Sequence, residues 1–276
     1  SWIDLGLVTP WTGKIVVLNH GQVGVEKREP IRYVAVPAMN SIARHLSADL
    51  PITRETTIRR AERRVCSSSN DQSVATESWF LEDAEGHCWG PFDYLILNCP
   101  PPQAAAILAS SYDLKDRLAA IEMDPCWAVL VELEQPLPCP FDAAFIHDSP
   151  LNWIARDSSK PLRPNGEAWI MHASPQWSRE HLEEDPDEVL TVLLDAFSEA
   201  TGEMIVDPVN MAAHRWRYAR PQKPLDIPCL WDATMQVAAC GDWCDGPRIE
   251  GAVLSGEAAA GAILRHLTID RKPARS

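Results

Sequence analysis

The sequence predicts an α/β chain in which short, parallel-type flanks enclose a long, mostly antiparallel β-rich insert. Three observations carry that expectation. Residues 93–99 form a short, nearly continuous apolar run halted by Pro100, Pro101 and Pro102, as a strand buried on both faces would be. Residues 236–240 repeat that character and pass through Gly241 and Asp242 toward a helix expected over 250–267. Between them, strands at 127–133, 145–148, 153–156 and 168–173 follow at spacings that suit antiparallel pairing.

The remaining elements follow in order. Strands are expected at 14–18 and 32–36, separated by a polar, turn-rich stretch around Gly21 and Gly24. Pro37 suits a first helical position, with Met39, Ile42, Ala43 and Leu46 at helical spacing. From 51 to 81, β-branched and alternating residues suggest an antiparallel excursion, interrupted by a polar segment at 67–73. Helices are expected over 103–109 and, amphipathically, over 186–200. Residues 214–220 alternate basic and aromatic side chains as a strand would, and 268–276 are polar and expected to fray. The expected division is an α/β part at 37–105 with 234–267, and a β-rich part at 1–36 with 106–233. Leu95–Cys99 and Val237–Cys240 should then share one sheet.

Composition excludes several classes of function. Apolar residues at 46% and charged residues at 23% are globular values, so wholesale disorder is ruled out, and 276 residues suffice for a core without cross-links. No run approaches the roughly 18 apolar residues of a membrane span, and no signal peptide opens the chain. A net charge of −14 opposes nucleic-acid binding. Eleven tryptophans against five phenylalanines and four tyrosines favour pockets for flat ligands, because an indole joins a large flat surface to one N–H donor. The eight cysteines are scattered; Cys240 and Cys244 alone are close, with no second pair or histidine to complete a zinc site. They read as free thiols in a reducing, cytoplasmic compartment, with no metal bound.

The sharpest chemical signal is at 236–261. A strand ends in Gly241-Asp242, and a helix opens at Ile249-Glu250-Gly251-Ala252. Ligands of open α/β sheets bind beyond the carboxyl ends of strands, where helix N-termini present unpaired N–H groups and partial positive charge. Asp242 could accept ligand hydroxyls, and Gly241 and Gly251 could admit close backbone approach. A close-packed core helix with a loop aspartate as its cap explains the same residues equally well.

The run Cys240-Gly-Asp-Trp-Cys-Asp-Gly-Pro-Arg-Ile-Glu-Gly-Ala-Val-Leu-Ser-Gly-Glu-Ala-Ala resembles the closing flavin motif of the FAD-dependent amine-oxidase superfamily, more narrowly its bacterial renalase-like branch. Agreeing segments run along most of the chain: Tyr33–Asn40, Gly90–Gln103, Met123–Ala128, Asp148–Pro161, Trp169–Ser178 and His214–Pro221. The resemblance implies a partial FAD-binding Rossmann-like layer with an inserted substrate domain. Gly241, Asp242 and Trp243 would face the pyrophosphate and ribityl chain, and Arg248, Ile249, Glu250, Gly251 and Ala252 would line the isoalloxazine. Ile58 would touch the adenine, and Cys99 and Pro100 would border the adenosine.

By the same resemblance, Trp153, His172 and Trp216 would converge on one substrate cleft facing the N-terminus of the 250–267 helix. Two indoles can sandwich a flat dihydropyridine, and an imidazole can hydrogen-bond its carboxamide. Arg156, Lys160 and Tyr218 would be further substrate contacts, with Asp157 an unusual acid among them. The implied reaction is oxidation of isomeric, unproductive dihydro forms of NAD(P)H, with FAD as cofactor and oxygen as acceptor, giving hydrogen peroxide. No single catalytic residue is assigned. A non-catalytic chain that binds no FAD and an amine oxidase are the alternatives. The family's opening βαβ unit with its G-x-G-x-x-G turn has no counterpart here, since Gly21-Gln-Val-Gly24 has the wrong spacing. Weak FAD binding and an uncovered sheet edge near 95–97 are therefore expected of this chain.

Overall fold

Alternating inward and outward side chains build most of this chain, and the strand register shows where each face points. The computed structural model describes residues 1–27, 30–66, 76–108 and 112–270. Along the chain these are β1 Val8–Trp11, β2 Ile15–Asn19, β3 Gln22–Val23, β4 Arg32–Ala35, α1 Ser41–Ser47, β5 Ile58–Cys66, β6 Thr76–Asp83, β7 Cys88–Phe92 and β8 Leu95–Leu97. There follow α2 Pro101–Ile107, α3 Asp113–Ala119, β9 Met123–Leu133, β10 Ala143–His147, β11 Leu151–Arg156, β12 Glu167–Ala173, α4 Pro175–Glu180 and α5 Pro186–Thr201. The last are β13 Asn210–Pro221, β14 Leu230–Asp232, β15 Val237–Ala239, α6 Asp242–Asp245 and α7 Ile249–Asp270. The result is a mixed α/β chain, as the sequence predicts, with most strand pairs antiparallel. Among the described residues, no helix is long and apolar enough to cross a membrane.

The chain divides into two compact units, Ser1–Ile52 with Asp124–Ala219, and Thr53–Met123 with Arg220–Ser276. The first is organised by a seven-stranded sheet in the order β13-β9-β12-β11-β10-β2-β3. One face packs against α5, whose Val189, Leu193, Ala196, Phe197 and Ala200 recur at helical spacing and are buried. Trp127, Val129, Val131, Trp169 and Met171 rise from the sheet to meet them, and the Phe197 ring stands edge-on to Trp169 at 5.4 Å. Full burial of side chains this large contributes about 1.5–3 kcal/mol each. On the other face, the two-stranded ribbon of β1 and β4 lays Trp11, Val34 and Val36 over Ala143 and Ala155. That ribbon covers only part of the face.

In the second unit, β8 and β15 run parallel in register Val237↔Leu95 to Ala239↔Leu97, and β14 pairs antiparallel to β15. The two apolar runs of the sequence do share a sheet. A separate antiparallel sheet holds β5, β6 and β7. Leu95 and Leu97 point into a core with Trp79, Leu114, Leu118 and Trp243. Trp79 anchors it further, donating its indole N–H to the Met235 carbonyl at 3.0 Å. On the opposite face, Ala238 is covered by Ala259 of α7.

Several expectations need correction. The strand at 93–99 is not buried on both faces: Ile96 is 45% exposed, since α7 packs on Ala238 and Cys240 rather than on it. Pro37 does not open a helix; α1 starts at Ser41, whose hydroxyl accepts from the Ala38 N–H at 3.2 Å and so shapes a turn first. Residues 37–52 lie with the first unit, and 106–123 and 220–233 with the second, where the sequence reading divided them the other way. The C-terminal helix continues to Asp270, and 271–276, like the polar segment 67–73, lie outside the described residues.

Candidate functional site

Strand register draws one row of side chains across the sheet of the first unit. Val17 of β2 opposes Phe145 of β10, Phe145 opposes Trp153 of β11, Trp153 opposes His172 of β12, and His172 opposes Ala128 of β9. Directly opposed residues share a face, so these five stand in line on the side away from α5. The Phe145 and Trp153 rings tilt at 55° with centroids 4.7 Å apart. On β13, Arg215 lies 5.6 Å over the Trp127 ring, on the α5 side. Alternation therefore puts His214, Trp216 and Tyr218 on the face of His172. Trp216 is 56% exposed and meets His214 edge-on at 4.5 Å. The structure thus brings Trp153, His172, Trp216 and Tyr218 to one sheet face.

The electrostatics of that face are set by burial and one cation. Burial holds the His172 imidazole below its ordinary range, and the Lys160 ammonium adds to the effect. His172 is therefore neutral near pH 7, a hydrogen-bonding group rather than a charge. Lys160 sits 2.5 Å from Asp157 and 5.8 Å over the Trp11 ring. Arg163 reaches the same Asp157 at 3.3 Å and also donates to the carbonyls of Ala35 and Pro37. Asp157, the unusual acid of the sequence, is thus the shared counter-ion of two cations. An apolar cavity of about 530 Å³ opens beside it, lined by Met39, Leu130, Ile170 and Met211.

Arg156 is not brought to the row. It points to the α5 side, where it pairs with Glu167 at 3.1 Å, donates to the Leu137 carbonyl at 2.9 Å and lies 5.0 Å over the Trp169 ring. Its place was legible, because 153 and 155 share one face and 154 and 156 the other. Phe145 is the residue that sequence reasoning missed. Its signal is the alternation of Ala143, Phe145 and His147 on one face of β10.

In the second unit, β8 and β15 end at the same edge, and Cys99 and Gly241 each lie two residues beyond the last registered pair. Ile58 and Cys99 open onto one cavity of about 810 Å³, with Thr56, Leu81 and Gln103. Pro100 forms the N-terminal boundary of α2. At Gly241, an added Cβ would lie 2.3 Å from the Trp243 indole nitrogen, and at Gly251, 2.4 Å from the Gly246 carbonyl oxygen. Gly241 N–H donates to the buried Ser255 hydroxyl at 3.1 Å, fastening the strand end to α7. Asp242 is half-buried, and burial pushes its carboxyl up. Arg248, Ile249, Glu250 and Ala252 are exposed around the start of α7. Trp243 differs from expectation: its ring is core, 2% exposed, and its buried N–H has no hydrogen-bond partner among the described residues.

Burial also raises the thiols, Cys139 and Cys240 each to about 11, so neither is a thiolate at neutral pH. Among the described residues, one trio, Asp83, Glu85 and His87, brings metal-ligating atoms together. Asp83 there accepts from the backbone of Glu85 and His87 and from Trp89, which is what builds the turn between β6 and β7.

Comparison with known proteins places this arrangement. The profile of the flavin-containing amine oxidoreductases matches residues 27–264. The chain belongs to that family. Among solved structures, it is similar to a putative protoporphyrinogen oxidase from Exiguobacterium, with 14% identity and a TM-score of 0.62, covering 84% of this chain and 52% of that one. A cyclohexylamine oxidase from Brevibacterium oxydans is 14% identical with a TM-score of 0.54, covering 76% and 48%. A putrescine oxidase redesigned in its cofactor binding gives 13% and 0.55, covering 85% and 54%. At such identities the likeness is one of fold. The chain spans about half of their length.

Proposed function

We propose that this chain acts as a flavin-dependent oxidase of dihydronicotinamides, the isomeric dihydro forms of NAD(P)H, rather than of amines. The observation that carries the reading is the row Phe145–Trp153–His172. Two aromatic rings and a neutral imidazole on one sheet face suit a flat, uncharged dihydropyridine whose carboxamide both donates and accepts hydrogen bonds. No acid–base pair is required, because the substrate loses a hydride rather than a proton. The balance is dihydropyridine plus oxygen plus a proton, giving pyridinium and hydrogen peroxide.

The second unit offers features suited to the adenosine and ribityl parts of FAD. Two parallel strand ends and the cavity at Ile58 and Cys99 would hold its adenosine part. Asp242 would accept ribityl hydroxyls, and Arg248, Ile249, Glu250, Gly251 and Ala252 would border the ring. When bound, FAD supplies the two-electron chemistry that neither aromatic nor imidazole side chains possess. The protein's own residues hold the dihydropyridine flat, donate to its carboxamide and exclude water from its faces.

The test is oxygen consumption by the purified protein supplied with FAD, with borohydride-reduced NAD isomers compared against primary amines. Turnover of the isomers with stoichiometric peroxide and no turnover of amines is expected. Amine turnover alone would establish the amine-oxidase reading, and a colourless protein that neither binds FAD nor turns over would establish a non-catalytic one.

A further inference from the structure

We infer that the first unit carries an anion subsite for the pyrophosphate of a dinucleotide substrate, at the β2–β10 end of the face that holds Trp153 and His172. The identity of that substrate rests on the dihydronicotinamide reading above; the subsite itself rests on its own groups.

A cavity of about 680 Å³ is lined there by Asn19, Val25, Lys27, Arg32, Phe145 and His147. Among the described residues of the lining, two permanent cations, an amide and an imidazole meet without a carboxylate, on a chain whose net charge is −14. Arg32 lies 5.8 Å over the Phe145 ring and spends one long bond of 3.4 Å on the Pro30 carbonyl. Among the described residues, neither Lys27 nor Arg32 forms an ion pair, and the neighbouring Asp148 faces His20 at 3.9 Å. The segment bearing Lys27 is fastened to β2, with Gly24 N–H donating to the Val17 carbonyl at 2.8 Å and Lys27 N–H to the Ile15 carbonyl at 2.7 Å. Arg32 is fixed in β4 opposite Trp11.

Phe145 ties this cavity to the candidate site, since it both lines the cavity and stands next to Trp153. β2 lies two strands from β11, or about 10 Å. A ring held at Trp153 and His172 would therefore place a charged group one ribose away beside Phe145. A guanidinium fork and an ammonium match phosphate oxygens there.

The experiment titrates inorganic pyrophosphate into the full chain by calorimetry, at low and raised salt, and repeats it with the double variant Lys27→Gln/Arg32→Gln and with Asn19→Asp. The last keeps both cations and adds a carboxylate, so it answers the question even if the double variant folds poorly. Saturable binding that weakens with salt, and that falls about tenfold or more in each variant, is expected. No saturable binding, or binding unchanged in the variants, overturns the subsite. Oxidation is followed in parallel with a dihydronicotinamide dinucleotide and with neutral N-benzyl dihydronicotinamide. The variants should raise KM for the dinucleotide alone. Equal KM effects on both would overturn the pyrophosphate assignment. Oxidation of neither, with variant-sensitive pyrophosphate binding intact, would sink the substrate reading and leave the anion subsite standing.

Discussion

At the scale of single residues, His172 and Gly241 show how surroundings decide chemistry. Burial first and Lys160 second lower the His172 pKa, so the folded protein binds fewer protons than the unfolded chain once pH falls past the ordinary imidazole range. Above that range both states are neutral and nothing is lost; below it the unfolded state gains protons and the fold is destabilised. Urea midpoints should therefore fall from about pH 7.5 to about pH 5, and His172→Gln should flatten part of that slope. An unchanged slope would show that the imidazole titrates alike in both states. At Gly241 the constraint is steric. A Cβ would sit 2.3 Å from the Trp243 nitrogen inside a packed core, so Gly241→Ala should cost about 1–3 kcal/mol by denaturant titration. A neutral result would mean that the indole can swing away. None of this was legible from Gly-Asp-Trp alone, because a sequence does not show which tryptophan folds back over the glycine beside it.

At the scale of elements, legibility followed the length and regularity of the pattern. Helix α5 was readable end to end: Pro186 at its start, apolar residues three and four apart, and Gly202 just beyond its last residue. Its start is also testable, since the Asp185 carboxylate accepts from the Asp187 N–H at 2.9 Å. Asp185→Ala should cost about 1 kcal/mol, read as a lower urea midpoint at unchanged slope. No loss would mean that water caps the helix equally well. Short elements were less readable. Helix α3 has only Leu114 and Leu118 to mark its buried side, too little to establish a period. Helix α1 begins after a turn that the Pro37 signal could not distinguish from a helix start. The row across β2, β10, β11, β12 and β9 needed strand order as well as alternation. Alternation alone assigns Trp153 and Arg156 to opposite faces, whereas only pairing puts Phe145, Trp153 and His172 side by side.

At the scale of the whole molecule, the decisive feature is that each unit is assembled from two separated stretches of chain. The first unit needs Ser1–Ile52 as well as Asp124–Ala219, because β2 lies inside the seven-stranded sheet, parallel to β10 in five registered pairs. Val16 and Leu18 of β2 are each 1% exposed in the core against α5, and the Asp142 carboxylate accepts from the Lys14 N–H at 2.8 Å. Removing Ser1–Ile52 would bare the hydrogen-bonding edge of β10 and the apolar side chains that Val16, Leu18 and Trp11 cover. An exposed apolar edge recruits other strands. Asp124–Ala219 produced alone should therefore aggregate, although it contains five of the seven strands and all of α5. Supplying Ser1–Ile52 as a second polypeptide should restore a monodisperse species with native near-ultraviolet circular dichroism from its buried tryptophans. The cost of joining two chains makes that rescue concentration-dependent, so size-exclusion profiles should sharpen as the shorter piece is added in excess. If Asp124–Ala219 is monodisperse and native-like by itself, β2 is an ornament on the sheet rather than part of its core, and the row from Val17 to Ala128 must be held by β10, β11, β12 and β9 without it.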